Sequence, residues 1–238
     1  MREYNKGIKT IVTGSLWVFV GLFVGYLLEY ANKIIIGRMF GPSGYGVISL
    51  GLSLSLIFSS LSLIGMQTGI ARFLSMHSHR RENIRLIVYS GLKIVLSLSI
   101  LCSVVLMINK NFVAKYFIKE DTAESTLLIF ILLIPIIAVA QYFYSCLRGL
   151  KLAKPAVIFQ NILRRLVVLI FLIVFIFLEI KNIFYISCAY LGGFVIYMLA
   201  SGIRLKRNIV YSVQHSEYTG FMTKDLILFS LPLLFSFI

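Results

Sequence analysis

The chain has 238 residues, of which 59% are hydrophobic and only 13% are charged, and its formal net charge is +14. This composition, with a mean hydropathy of +0.94, excludes an ordinary soluble domain, in which about 25% of residues are charged. Because the lysines and arginines lie between long apolar runs, as the positive bias of cytoplasmic membrane loops requires, we expect no nucleic-acid partner. The composition predicts an all-α protein that crosses a membrane several times.

The three cysteines, Cys102, Cys146 and Cys188, lie inside apolar runs and show no paired spacing. We therefore expect them to be packing residues, and we predict neither a disulfide, a metal site nor a cofactor. The first apolar run is too long for a secretion signal and lacks a small-residue cleavage site. We expect it to be a retained membrane span.

A short polar break at residues 37–46 separates the first two apolar runs, which cover about residues 11–36 and 45–64. Its glycines ease unusual backbone angles and Pro42 cannot continue a helix, so we expect the chain to turn back here. In the first run, the spacing of Gly21 and Gly25 lets another helix approach closely.

The second run carries small residues on two opposite faces, which allows two arrangements. The helix can pack between two neighbours, or it can pack on one side and face a polar cavity on the other. One face carries Gly46, Ser49, Ser53 and Ser60, and the opposite face carries Gly51, Ser55, Ser59 and Ser62.

Four further apolar runs follow, at about residues 86–108, 126–147, 155–178 and 183–203. The first of these contains Lys93, whose ammonium group can either reach back to the membrane interface or face a cavity. The next contains Pro135, which is expected to kink the helix and to free a carbonyl group that protein or water must satisfy.

The fifth span contains two adjacent cations, Arg164 and Arg165. The apolar stretch after them is shorter than the hydrocarbon core, so the helix must begin before them and both must lie inside the span. Adjacent helical positions differ by about 100°. We therefore expect at most one arginine to point straight into a central cavity, and the other to reach the interface.

The loops after the second, fourth and sixth spans are basic, which predicts a cytoplasmic N-terminus in a multi-pass protein of the cell membrane. Residues 226–238 are apolar but too short to span. We therefore expect a six-helix lobe at residues 1–210, a cytoplasmic inter-lobe loop at residues 211–225, and the truncated start of a seventh span after it.

The polar break at residues 37–46, the Ser/Leu-rich second span and the segment Gly69-Ile70-Ala71-Arg72-Phe73 resemble the N-terminal signature of polysaccharide-export flippases. These belong to the multidrug/oligosaccharidyl-lipid/polysaccharide (MOP) transporter superfamily. Residues 230–233 resemble the opening of the family's second half. The resemblance implies two six-helix lobes, of which the C-terminal one is missing here, facing each other across a central cavity.

The resemblance also implies a substrate and a mechanism. An isoprenoid-diphosphate-linked oligosaccharide would pass from the cytoplasmic to the outer leaflet by alternating access, with membrane lipids around it and a Na⁺ or H⁺ gradient as a potential partner. Such a headgroup is anionic, so a flippase needs cations in a wet cavity. The candidate substrate-binding residues are Lys33, Arg38, Arg72, Lys93 and Arg164.

Interfacial snorkelling is the alternative role for each of these cations. The resemblance matches Arg38 and Arg72 to family arginines that follow the first and second spans. Glu29 is the acid well inside a span and is a candidate for ion coupling. Lys33 lies four residues later, and we favour a simple ion pair between the two.

Two other functions were weighed against flipping. A cation-coupled multidrug antiporter of the same superfamily would call for buried carboxylates, whereas these spans carry mainly cations. A membrane enzyme of polysaccharide assembly would need carboxylates or histidines gathered at one membrane face. His77, His79 and His215 lie in loops without such a cluster, so we expect no enzyme activity.

Overall fold

The structure, a computed structural model, describes residues 2–76, 81–113, 123–180 and 182–210, and every regular element in these ranges is a helix. The predicted inter-lobe loop at 211–225 and the predicted seventh span at 226–238 lie outside the described residues. So do His77, His79 and His215. The prediction of an all-α fold is confirmed.

The described helices follow one another with short connections. They are α1 (Arg2–Leu63), α2 (Met66–Met76), α3 (Arg81–Ile108), α4 (Lys110–Val113), α5 (Ala123–Gly149), α6 (Ala153–Val157), a π-helical segment (Ile158–Leu163), α7 (Arg164–Phe177) and α8 (Ile183–Val210). Five stretches are long and apolar enough to cross a membrane: Gly14–Leu63, Ile87–Ile108, Ser125–Gly149, Ala153–Phe177 and Ile183–Ile209.

Helix α1 is two spans joined at a sharp bend. Its apolar stretch of 50 residues would measure about 75 Å if straight, against a hydrocarbon core of about 30 Å. Gly41 interrupts it with φ 68° and ψ −172°, a conformation that glycine adopts without steric cost. Pro42 follows at once, where its missing N–H is tolerated at a helix start. The predicted turn is confirmed, and the chain makes six crossings.

The fifth crossing is continuous through α6, the π-helical segment and α7. Its apolar stretch, Ala153–Phe177, has 25 residues and so measures about 37 Å. The prediction that this helix begins before Arg164 and Arg165 is confirmed. The backbone N–H of Arg164 donates to the carbonyl of Phe159, five residues earlier, as in a π-helix.

Helix α5 lies at the centre of the bundle and packs against α1, α2, α3 and α8. Its apolar stretch is 67% buried, whereas that of α3 is 22% buried. The helix runs through Pro135, which cannot donate to the carbonyl of Ile131. The Ser103 hydroxyl of α3 donates to that carbonyl at 3.2 Å. The neighbouring helix thus supplies the expected partner.

The two small-residue faces of the second span have different surroundings. Gly51, Ser55, Ser59 and Ser62 are buried. Ser55 donates to the carbonyl of Phe130 in α5 at 2.7 Å, and a Cβ added to Gly51 would overlap the Phe130 ring. On the opposite face, Ser53 and Ser60 are exposed. Within the described residues, the helix therefore packs on one side only.

We expect Gly51→Val to lower the free energy of unfolding by about 1–3 kcal/mol, because the added side chain has no space beside the buried Phe130. The measurement is thermal unfolding of the purified protein in detergent. Ser53→Val, an equal addition at an exposed position of the same helix, is the control and should stay within about 0.5 kcal/mol. Equal unfolding midpoints for the two variants would contradict the close packing of α1 on α5.

Candidate functional site

A small cavity lies inside the bundle where both halves of α1 meet α7 and α8. Its volume is about 70 Å³, and its lining comprises Glu29, Asn32, Leu52, Leu56, Arg164, Arg165, Val168, Tyr190 and Phe194. Glu29 and Leu56 lie on opposite sides of the Gly41 bend, and in a straight helix they would be about 40 Å apart. The bend is therefore what brings them to one site.

Glu29 forms an ion pair with Arg165 across the cavity wall. The Arg165 Nε donates to the Glu29 Oε2 at 2.8 Å, and the two side chains are 12% and 28% exposed for arginine and glutamate respectively. Arg165 Nη1 also donates to the Asn161 carbonyl at 3.3 Å. The expected pair between Glu29 and Lys33 is wrong, because Lys33 is exposed while the more enclosed carboxylate has a guanidinium beside it.

This ion pair depends on close contact between α1 and the π-helical segment. A Cβ on Gly25 would overlap the Arg165 guanidinium and lie 2.8 Å from the Asn161 carbonyl oxygen. A Cβ on Gly21 would overlap Val157. The predicted close approach at the Gly21 and Gly25 face is confirmed, and it places the Arg165 side chain directly against α1.

Arg164 lines the same cavity from another direction. Its guanidinium carbon lies 4.6 Å from the centre of the Phe194 ring of α8, which is favourable for a cation over an aromatic face. No hydrogen bond or ion pair reaches this guanidinium from the described part of the chain. The expectation that one of the two arginines reaches the interface is wrong, because the cavity lies between α1 and α8 and the diverging side chains bound it on both sides.

Asn32 adds a second uncompensated polar group to the cavity. The residue is 2% exposed, and its Nδ2 donates to the Arg165 carbonyl at 3.1 Å. Its Oδ1 has no partner among the described residues. Sequence reasoning missed Asn32 and Arg165 as site residues. The available signal was polar spacing, since Asn32 is one turn from Glu29, and Asn161 is one turn from Arg165.

The other predicted site residues do not meet at this cavity. Lys33, Arg38, Arg72 and Lys93 are exposed, and none of them lines it. The ammonium group of Lys93 lies 5.0 Å from the ring centre of Tyr89, one turn nearer the start of α3. Lys93 therefore points back towards the membrane interface, which is the snorkelling arrangement.

The sequence matches the family described as "Polysaccharide biosynthesis protein" over residues 11–238. Comparison with curated proteins gives no match. A solved outward-facing multidrug resistance MATE family transporter of the MOP superfamily has a TM-score of 0.75 and 19% identity, covering 96% of this chain and 52% of that one.

A second solved structure is similar. It is a MOP superfamily transporter from Pyrococcus furiosus, described as having a binding pocket whose reversed polarity suggests a different function, with a TM-score of 0.70, 19% identity and the same coverages of 96% and 52%. Such low identity shows the fold alone. The chain spans about half the length of either transporter, and the predicted transporter-type helical fold is confirmed.

We expect Glu29→Gln to lower the free energy of unfolding by about 1–3 kcal/mol, because it leaves the Arg165 guanidinium half-buried without its counter-charge. The double variant Glu29→Gln/Arg165→Gln should recover part of the loss, and thermal unfolding in detergent measures both. Lys33→Gln, an exposed change on the same helix, is the control. Additive losses from the two single changes would mean that the side chains do not interact.

Proposed function

The chain belongs to the polysaccharide biosynthesis protein family, because the match covers residues 11–238 of 238, and from this premise we propose that it forms the N-terminal lobe of a membrane flippase. The whole transporter moves an isoprenoid-diphosphate-linked oligosaccharide from the cytoplasmic to the outer leaflet. The missing C-terminal lobe supplies the facing half of the pathway, and the two lobes alternate between inward and outward access.

The observation that carries this proposal is the unpaired guanidinium of Arg164 in the cavity. Two arginines and one glutamate line the cavity, and Glu29 already neutralises Arg165. One positive charge therefore remains without a counter-charge inside a membrane-spanning bundle, where such a charge is costly and typically functional. A diphosphate is the anion that compensates it, through charge-assisted hydrogen bonds to the guanidinium.

The size of the cavity supports a half-site. Its volume of about 70 Å³ is well below the roughly 300–1,000 Å³ of typical ligand pockets. A diphosphate-sugar headgroup is too large for it, so the substrate contacts this cavity from the cleft between the lobes. The exposed Ser53 and Ser60 of the second span provide hydroxyl groups for the sugar on the lobe surface.

The distribution of cations supports a cytoplasmic N-terminus in the cell membrane. The start of α3 and the ends of α5 and α8 meet at one end of the bundle and carry exposed cations. These are Arg85, Arg148, Lys151, Lys154, Arg204, Lys206 and Arg207. The positive-inside bias assigns this end to the cytoplasm, and the Gly41 bend then lies at the outer side.

Exchange of an inorganic cation for a cationic drug is the competing activity, favoured by the resemblance to a multidrug resistance transporter. The excess positive charge of the cavity argues against a cationic substrate. The Pyrococcus furiosus transporter, with its reversed pocket polarity, is a precedent for such a difference on this fold. Glu29 can couple transport to a cation gradient only after it releases Arg165.

We expect Arg164→Gln in the full-length transporter to slow flipping of a lipid-diphosphate oligosaccharide by about 10- to 100-fold, because a charged hydrogen bond is worth about 1.5–3 kcal/mol. The assay follows the headgroup across reconstituted vesicles, and Arg164→Lys should retain intermediate activity. Lys93→Gln is the matched control, since it removes an exposed cation outside the cavity. Equal rates for Arg164→Gln and Lys93→Gln would reject the anion site.

A further inference from the structure

A second, larger opening lies at the basic end of the bundle, between α3, α5 and α8. We call it the α3–α8 groove. Its volume is about 490 Å³, within the range of ligand pockets. Its walls are apolar and are formed by Val88, Leu92, Phe143, Leu205 and Ile209. It shares no lining residue with the cavity around Arg164.

The groove exists because α8 carries a glycine opposite an aromatic ring. Gly202 lines the groove, and a Cβ at this position would lie 3.1 Å from the Phe143 ring of α5. Beneath it, Val88 and Leu205 are buried in the core. The floor is therefore firmly packed, whereas the opening runs along the outer surface of the bundle.

Two exposed cations from different helices border the groove. Arg85 lies near the start of α3 and Lys206 lies near the end of α8, and both line the opening. In the described part of the chain neither has an ion-pair partner. Tyr89 lies one turn below Arg85 and is 61% exposed, at the depth where tyrosine marks the membrane interface.

We propose that the α3–α8 groove binds one anionic phospholipid of the leaflet at the basic end. Its phosphate lies between Arg85 and Lys206, and an acyl chain follows the apolar wall past Leu92 and Phe143. The argument is charge complementarity: basic pockets between membrane helices bind anionic headgroups at this depth. A lipid that occupies three helices at once, including the central α5, ties α8 to the core of the lobe.

The test counts lipids bound to the full-length protein by native mass spectrometry, with phosphatidylglycerol and phosphatidylcholine as the two probes. The unmodified protein should retain one more phosphatidylglycerol than phosphatidylcholine. Arg85→Gln/Lys206→Gln should weaken that retention about tenfold, because both charge-assisted contacts are lost. Arg38→Gln/Arg72→Gln, which removes two exposed cations outside the groove, is the matched control and should retain the lipid.

A second variant separates lipid binding from damage to the fold. Leu92→Trp fills the groove without changing any charge, and it should also abolish the extra phosphatidylglycerol. Equal retention of the two lipids by the unmodified protein would overturn the proposal, whether ordinary surrounding lipid or another segment of the chain covers the groove. Retention that survives both the charge variant and Leu92→Trp would overturn it as well.

Discussion

Hydrocarbon offers no hydrogen bonds, so each polar group that this chain carries into the bilayer must find a partner in another helix or reach the interface. The Ser103 hydroxyl satisfies the carbonyl freed by Pro135. The Tyr142 hydroxyl donates to the Val88 carbonyl at 2.9 Å. Such contacts join α5 to its neighbours, because a lost partner inside the membrane has no water to replace it.

Charged groups follow the same constraint with larger energies. Lys93 meets it by folding back over Tyr89 towards the interface, while Glu29 and Arg165 meet it by pairing between α1 and α7. Arg164 is different, because an aromatic ring is its principal contact. A guanidinium held in this way keeps its hydrogen-bond donors for a ligand, which is why it outweighs the four exposed cations as an anion site.

Helix α8 connects the two proposed sites. Tyr190 and Phe194 bound the cavity beside Arg164, and Leu205 and Lys206 bound the α3–α8 groove nearer the basic end. Alternating access requires lobes that move as rigid units. Contacts that tie α8 to α5, through Gly202 and Phe143 and through a bound lipid, favour movement of the lobe as one body.

The sequence by itself determined the number of crossings, the turn at Gly41 and Pro42, the basic ends and the family. These follow from hydropathy, backbone angles and charge, which depend on a residue and its near neighbours. Only the tertiary structure decided that Glu29 pairs with Arg165, 136 residues away, rather than with Lys33 one turn along. It also decided which face of the second span is buried and that both arginines bound one cavity. These outcomes depend on how closely α1 approaches the π-helical segment, and helical periodicity contains no information on distances between helices.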